Sequence, residues 1–129
     1  MSDFLSIAEV AEHFDVSQRT IRYYEEIGLI DPPRKNKRRI FSPADMTRLS
    51  LIFRGKKYGF QLDEIKDMIE LFDKDPSGVK QLERTIGYGK KKMLEVDARI
   101  RELEQLKAEM NDWLNKFEEE LIKRRGESS

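Results

Sequence analysis

An apolar pattern at helical spacing opens the chain, on Ile7, Val10, Ala11 and Phe14. Ser6, followed three residues later by Glu9, is the sequence of a capping box and predicts the start of this helix. After a short break, Ser17 can cap a second helix over residues 18–27, which we expect to stop at Gly28. Two short helices joined by so short a turn are the outline of a helix-turn-helix.

Two further helices are predicted downstream of a basic segment. Residues 34–41 are predicted to form a short basic hairpin or loop, and Ser42-Pro43 is a strong helix start, with serine as the cap. The third helix carries its apolar face on Leu49, Ile52 and Phe53 and should stop near Gly59. A fourth has its apolar face on Leu62, Ile65, Met68, Ile69 and Phe72. The turn-forming residues at 75–78 then break the pattern.

One long heptad pattern dominates the remainder of the chain. Apolar residues alternate at spacings of four and three, the a and d positions of a coiled coil, and only Gly89 and Lys107 interrupt them. A helix over 79–123 would be about 65 Å long and would need a partner helix to cover this stripe. A second copy of the chain is the simplest source, through Met93, Val96, Ile100, Leu103, Met110, Leu114, Phe117 and Leu121.

The predicted fold class is therefore mainly α: a winged helix-turn-helix followed by a long C-terminal dimerisation helix. The predicted domains are residues 1–75 and the coil at 76–125, with a disordered tail at 126–129.

The chain has no net charge, but its basic residues are concentrated in one segment. The chain carries 25 basic and 25 acidic residues, but residues 34–57 hold nine basic side chains and one acid, Asp45. Such a local excess is the usual footprint of a polyanion site. There is no cysteine, which excludes disulfides and thiolate metal sites, and His13 stands alone, so we expect no metal site and no cofactor. No apolar run is long enough to span a membrane, and no secretory signal is visible, so we expect a cytoplasmic, nucleoid-associated protein.

The second helix combines hydroxyl, guanidinium and phenol groups, which can grip guanine edges or fix the register of a phosphate backbone. The basic segment follows at the distance expected of a wing, although a solvated loop is the commoner fate of such a run. The candidate DNA-binding residues are Ser17, Arg19, Thr20, Arg22, Tyr23, Tyr24, Lys37, Arg38, Arg39, Arg54 and Lys56.

Three stretches resemble the MerR family of transcriptional regulators. They are residues 7–11 with 20–30, which include Ile-Arg-Tyr-Tyr-Glu before Gly-Leu-Ile, then residues 39–45 and residues 58–65. The resemblance covers roughly residues 5–72. It implies a winged helix-turn-helix, an antiparallel coiled-coil homodimer, and a pseudo-palindromic promoter operator that is distorted so that RNA polymerase can engage it.

The resemblance also implies roles for single residues. Arg22, Tyr23 and Tyr24 match operator contacts, Arg39 matches the wing arginine, and Lys56 matches a basic contact to the backbone. The chain departs from the family pattern in having Phe41 in place of tyrosine, and Lys37 and Arg38 in place of glycine and an aromatic residue. The extra wing charge should strengthen backbone attraction and its salt dependence.

The sequence says less about a small-molecule effector than about DNA binding. Residues 52–60 and 69–73, with a cysteine-free coil, resemble the LiuR-type branch, which implies an acyl-CoA-like signal whose phosphates could meet residues 89–92. An enzyme is disfavoured because there is no phosphate loop, activated nucleophile or metal-ligand cluster, so no catalytic residue is predicted. The alternatives that stay open are an architectural or chromosome-anchoring DNA-binding protein without promoter control, and a coiled-coil adaptor.

Overall fold

The computed structural model describes residues 3–126, and within them the chain is mainly helical with one small hairpin. The elements follow in the order α1 (Ile7–Phe14), α2 (Gln18–Glu26), β1 (Arg34–Lys35), β2 (Arg38–Arg39), α3 (Pro43–Lys57), α4 (Leu62–Lys74) and α5 (Val79–Arg125). The predicted fold class, a winged helix-turn-helix followed by a long C-terminal helix, is confirmed. Most of the tail predicted at 126–129 lies outside the described residues.

The helix boundaries follow from local chemistry. The Ser6 hydroxyl accepts a hydrogen bond from the Glu9 amide, and the Glu9 side chain accepts one from the Ser6 amide, which completes the expected capping box. Hydrogen bonds that the Glu9 carboxylate accepts from Ser6, first from its backbone amide and then from its side chain, lower the pKa of Glu9. Asp15 adopts a left-handed conformation, with φ of 54°, and thereby turns the chain out of α1. Ser17 caps α2, and Gly28, with φ of 82°, follows its end.

A single core joins the first four helices. Phe53 in α3 contacts the rings of Phe14 from α1 and Tyr24 from α2, with centroids 4.9 Å and 5.7 Å away. Phe41 lies fully buried just before α3, so in this chain position 41 belongs to the core rather than to a surface facing phosphates. The other fully buried apolar side chains among the described residues include Val10, Ile21, Leu49, Ile52, Ile65 and Met68.

The wing is a hairpin of two-residue strands in which Lys35 pairs with Arg38 and Arg34 with Arg39. Asn36 and Lys37 form its turn, and both have positive φ, 52° and 68°, as a type I′ turn requires. The right-handed twist of the strands favours this turn, so a basic tip forms even without glycine.

Side-chain links hold α3, α4 and the start of α5 together. Arg48 donates from Nη1 to Asp45 and from Nε to Asp73, each at 2.8 Å, and its guanidinium stacks over Phe72. Arg84 in α5 donates to Asp67 in α4 at 2.8 Å. The described chain divides into two compact units, the first ending at Ile86 and the second beginning at Gly87. The domain boundary near residue 75 stays a prediction.

The second unit consists of the remainder of α5. Its eight predicted dimerisation residues, hereafter the α5 stripe, are each between 46% and 63% exposed in the single chain. Trp113 lies beside this stripe and packs edge-on against Phe117, with ring centroids 4.5 Å apart. This unit therefore presents an apolar surface that the single chain leaves in contact with water. The residues of the α5 stripe are Met93, Val96, Ile100, Leu103, Met110, Leu114, Phe117 and Leu121.

Candidate DNA interface

One exposed face of α2 brings together three of the predicted DNA-binding residues. Arg19, Arg22 and Tyr23, together with Glu26, line an open groove of about 380 Å³. Their spacing of three and four residues places them on one side of the helix, because a helical turn takes 3.6 residues. Neither arginine forms a salt bridge within residues 3–126, so both guanidiniums are available for a polyanion.

The first turn of α2 uses its hydroxyls for capping. The Ser17 hydroxyl accepts a hydrogen bond from the Thr20 amide at 3.1 Å and lies 2.9 Å from the Thr20 hydroxyl. Ser17 therefore fixes where α2 begins, and with it the direction of the Arg19–Arg22 face. Any DNA contact by these two hydroxyls would be additional to this structural role.

Tyr24 lies on the opposite side of α2 from the groove. It is only 6% exposed, and its ring packs against Phe53. Burial, and to a lesser extent the neighbouring Tyr23, raises the pKa of Tyr24. The structure thus separates the two adjacent tyrosines, with Tyr23 half exposed on the groove and Tyr24 in the core.

The wing presents its charge unevenly. Lys37 and Arg38 are exposed near the tip and form no salt bridge within the described residues. Arg39 is instead engaged, since its Nε donates to Oε1 of Glu25 in α2 at 2.7 Å. Arg34, which faces Arg39 across the hairpin, lies 3.7 Å from the other Glu25 oxygen.

Arg54 and Lys56 are exposed on α3, and neither forms a salt bridge within the described residues. Of the nine basic residues at 34–57, Arg34, Arg39 and Arg48 pair with carboxylates, which leaves six: Lys35, Lys37, Arg38, Arg54, Lys56 and Lys57. The available positive charge is therefore smaller than the sequence count implied.

Glu25 is a residue of this surface that the sequence pattern did not predict. Glu25 and Arg39 are 14 residues apart, and their pairing depends on where the hairpin packs, which no local pattern reveals. A weak signal did exist, since Glu25 follows Ile21 by four residues and so lies near the inward side of α2.

Among residues 3–126, no cluster of three or more histidine, aspartate or glutamate side chains is arranged to hold a metal ion. None of the helices in that range combines the length and the apolar character needed to cross a membrane.

An exposed basic helix face beside a basic hairpin defines a winged helix-turn-helix DNA-binding protein. Two family models match the chain: "MerR HTH family regulatory protein" over residues 5–71 and "MerR, DNA binding" over residues 46–113. The chain belongs to the MerR family, and it is a DNA-binding transcriptional regulator.

Individual relatives agree with this assignment. The HTH-type transcriptional regulator HmrR of Rhizobium leguminosarum is 35% identical over 107 residues, which cover 80% of this chain and 78% of HmrR. A crystal structure from Listeria monocytogenes assigned to the MerR family superposes with a TM-score of 0.70 at 27% identity and covers 97% of this chain and 99% of that one.

A third similar protein was solved with nucleic acid. HiNmlR, described as a MerR family regulator lacking the sensor domain and bound to promoter DNA, superposes with a TM-score of 0.58 at 27% identity. The match covers 79% of this chain and 76% of HiNmlR. These similar proteins are transcriptional regulators, which are not enzymes.

Proposed function

We propose that this regulator binds a pseudo-palindromic promoter operator as a homodimer joined through the α5 stripe. The observation that carries the proposal is the exposed Arg19–Arg22–Tyr23 face of α2, next to a wing whose tip is basic. An arginine face can read guanine edges in the major groove, while wing cations contact the flanking backbone. The first compact unit thus supplies one reading head for each half-site.

Dimerisation is supported by the half-exposed α5 stripe. Eight large apolar side chains at heptad spacing lose contact with water only if another helix covers them. Burying apolar surface contributes about 25 cal/mol per Å². A second copy of the chain is the simplest occupant, and the family resemblance implies that it lies antiparallel. A two-fold dimer would place two α2 faces on one duplex at a fixed spacing, and this is why the operator should be pseudo-palindromic.

We further propose that binding distorts the operator and so alters how RNA polymerase engages the promoter. This step follows the family resemblance and the similarity to a regulator described as bound to promoter DNA. As a regulator of transcription the protein acts where the chromosome lies, in the cytoplasm at the nucleoid. We assign it no catalytic role.

The acyl-CoA-like effector is the part of the proposal that rests on the LiuR-type resemblance. Lys90 and Lys91 are exposed, whereas Lys92 forms a salt bridge with Glu95 at 3.3 Å. Calorimetry of the purified protein against a panel of acyl-CoAs tests this part. Absence of heat with every member, together with unchanged operator binding, would remove the effector and leave the DNA-binding proposal intact.

Selection from a pool of random duplexes tests the central proposal. The expected product is a consensus with two inverted half-sites, protected on one face of the duplex in footprinting. Transcription from a promoter that carries this consensus should then change when the protein is added. A consensus without any effect on transcription would favour an architectural role, and absence of a consensus would favour the adaptor.

A further inference from the structure

We infer that Glu25 is a positioning residue for DNA recognition, which holds the wing against α2 through Arg39 and Arg34. The inference rests on the proposed operator binding and deepens it. It concerns the geometry between the two DNA-contacting elements rather than either element alone.

The contacts of Glu25 connect α2 to both strands of the hairpin. Oε1 of Glu25 accepts the Arg39 Nε–H at 2.7 Å, and Oε2 of Glu25 lies 3.7 Å from Arg34 Nη2. Arg34 and Arg39 are paired residues of β1 and β2, so a single carboxylate reaches both strands of the wing. Its partners hold the hairpin at one position along α2.

The contact between Glu25 and Arg39 is partly buried. The side chains of Glu25 and Arg39 are only 19% and 22% exposed, whereas the Arg34 side chain is 49% exposed. A short, partly buried hydrogen bond between charged groups is stronger than a surface ion pair. Glu25 to Arg39 is therefore the firm contact, and Arg34 adds a weaker one.

This geometry separates the wing cations into two groups. Arg39 and Arg34 form salt bridges with Glu25, whereas Lys35, Lys37 and Arg38 form no salt bridge within the described residues. We assign the wing's contacts with phosphate to the second group. Arg39 then acts through Glu25 as part of the link.

An acid in a DNA-binding surface makes the assignment testable, because its two effects have opposite signs. As a mere negative charge, Glu25 repels every duplex, so its removal should strengthen binding to all of them. As a positioning residue, it aligns the wing with α2 for one geometry, so its removal should weaken binding to the selected duplex only.

The experiment uses the full chain and two probes: the duplex recovered by random selection with the wild-type protein, and a scrambled duplex of the same composition. Affinities are measured by fluorescence anisotropy over a series of salt concentrations. The variants are Glu25→Ala, Arg39→Gln and the double variant. Glu70→Ala, which removes an exposed acid from α4, is the matched control for charge.

We expect Glu25→Ala to lower the ratio of selected to scrambled affinity by about tenfold, the scale of one charged hydrogen bond. Arg39→Gln should lower it similarly, and the double variant should lose no more than either single variant, because both break one link. Glu70→Ala should leave the ratio unchanged.

Two results would overturn the inference. One is a Glu25→Ala protein with native melting whose ratio matches that of Glu70→Ala. The other is an Arg39→Gln protein whose DNA affinity depends less steeply on salt, with a slope lower by about one, because such a change marks a lost phosphate contact. This second result can be obtained even where Glu25→Ala does not fold. Failure to select any consensus would instead contradict the proposed operator binding itself.

Discussion

Gly55 in α3 passes so close to α4 that a Cβ on it would lie 2.6 Å from Cγ1 of Ile65. Ile65 is fully buried, so it cannot swing aside without disturbing the core. We predict that Gly55→Ala destabilises the protein by about 1–2 kcal/mol, because overpacking outweighs the gain in helix propensity. Urea unfolding followed by circular dichroism measures the change.

Gly87→Ala is the matched control for this prediction. Gly87 also lies inside a helix, α5, but a Cβ there would meet nothing within 4 Å. The same substitution should therefore stabilise the protein by about 0.5–1 kcal/mol. If Gly55→Ala were equally stabilising, α3 and α4 would not be packed as closely as the structure has them.

Much of the fold could be predicted from sequence because the helix signals are local. Ser6 with Glu9, and Ser42 with Pro43, mark helix starts that the structure reproduces at Ile7 and Pro43. The heptad pattern likewise predicted a long final helix, and α5 runs over Val79–Arg125.

The arrangement of the charges was harder to predict, because ion pairs between elements depend on tertiary packing. Arg48 counted as part of a basic footprint, yet it bridges Asp45 and Asp73. The burial of Tyr24 could have been predicted, because Tyr24 follows the inward-facing Ile21 by three residues. For Glu25 the same argument predicts only that it lies near the inward side of α2, because its pairing with Arg39 depends on where the hairpin packs.

The turn of the wing carries backbone strain at Lys37, whose φ is 68°. A side chain in this left-handed region costs about 1–2 kcal/mol, which glycine avoids at the expense of about 0.5–1 kcal/mol of chain entropy. Lys37→Gly should therefore raise the free energy of unfolding slightly, by about 0.5–1 kcal/mol. It should also reduce the salt slope of DNA binding by about one, if Lys37 contacts phosphate.

Lys35→Gly separates these two effects. Lys35 lies in β1, outside the positive-φ positions of the turn, so glycine relieves no strain there. This variant should lose the same charge while lowering the stability. Equal stability changes for the two variants would contradict the type I′ turn.

The α5 stripe provides the test of dimerisation. Leu103 lies in the stripe, and Leu103→Lys should place an unpaired charge in the proposed helix–helix contact and so split the proposed dimer. Sedimentation velocity should report a monomer, and DNA binding should be lost indirectly. Leu94→Lys is the control, because Leu94 is 70% exposed and lies off the stripe. Unchanged sedimentation of Leu103→Lys would show that the contact is misplaced.

Lowering the pH should destabilise the start of α5, because Asp75 becomes protonated. Its carboxylate accepts hydrogen bonds from the Ser77 hydroxyl and the Lys80 amide, which lower its pKa, the Ser77 contact most. A lowered pKa in the folded state means that the ionised form stabilises the fold above pH of about 4, and that this contribution is lost as the pH falls through the folded pKa.

Asp75→Ala should therefore lower the melting temperature at neutral pH and have less effect in acid, below the folded pKa of Asp75. Ser77→Ala should raise the folded pKa of Asp75 and so reduce the pH dependence without removing the carboxylate. A penalty for Asp75→Ala that is the same at both pH values would show that its charge contributes nothing.

The α2 groove makes the most direct prediction about DNA. Arg22 lines the groove and has no salt bridge within the described residues, so Arg22→Ala should leave folding and self-association unchanged. Binding to the selected duplex should weaken by about 1–3 kcal/mol, the scale of one specific contact. Arg101→Ala removes an equal charge from an exposed position on α5 and should have little effect. Equal losses in the two variants would mean that bulk charge, rather than the face of α2, governs recognition.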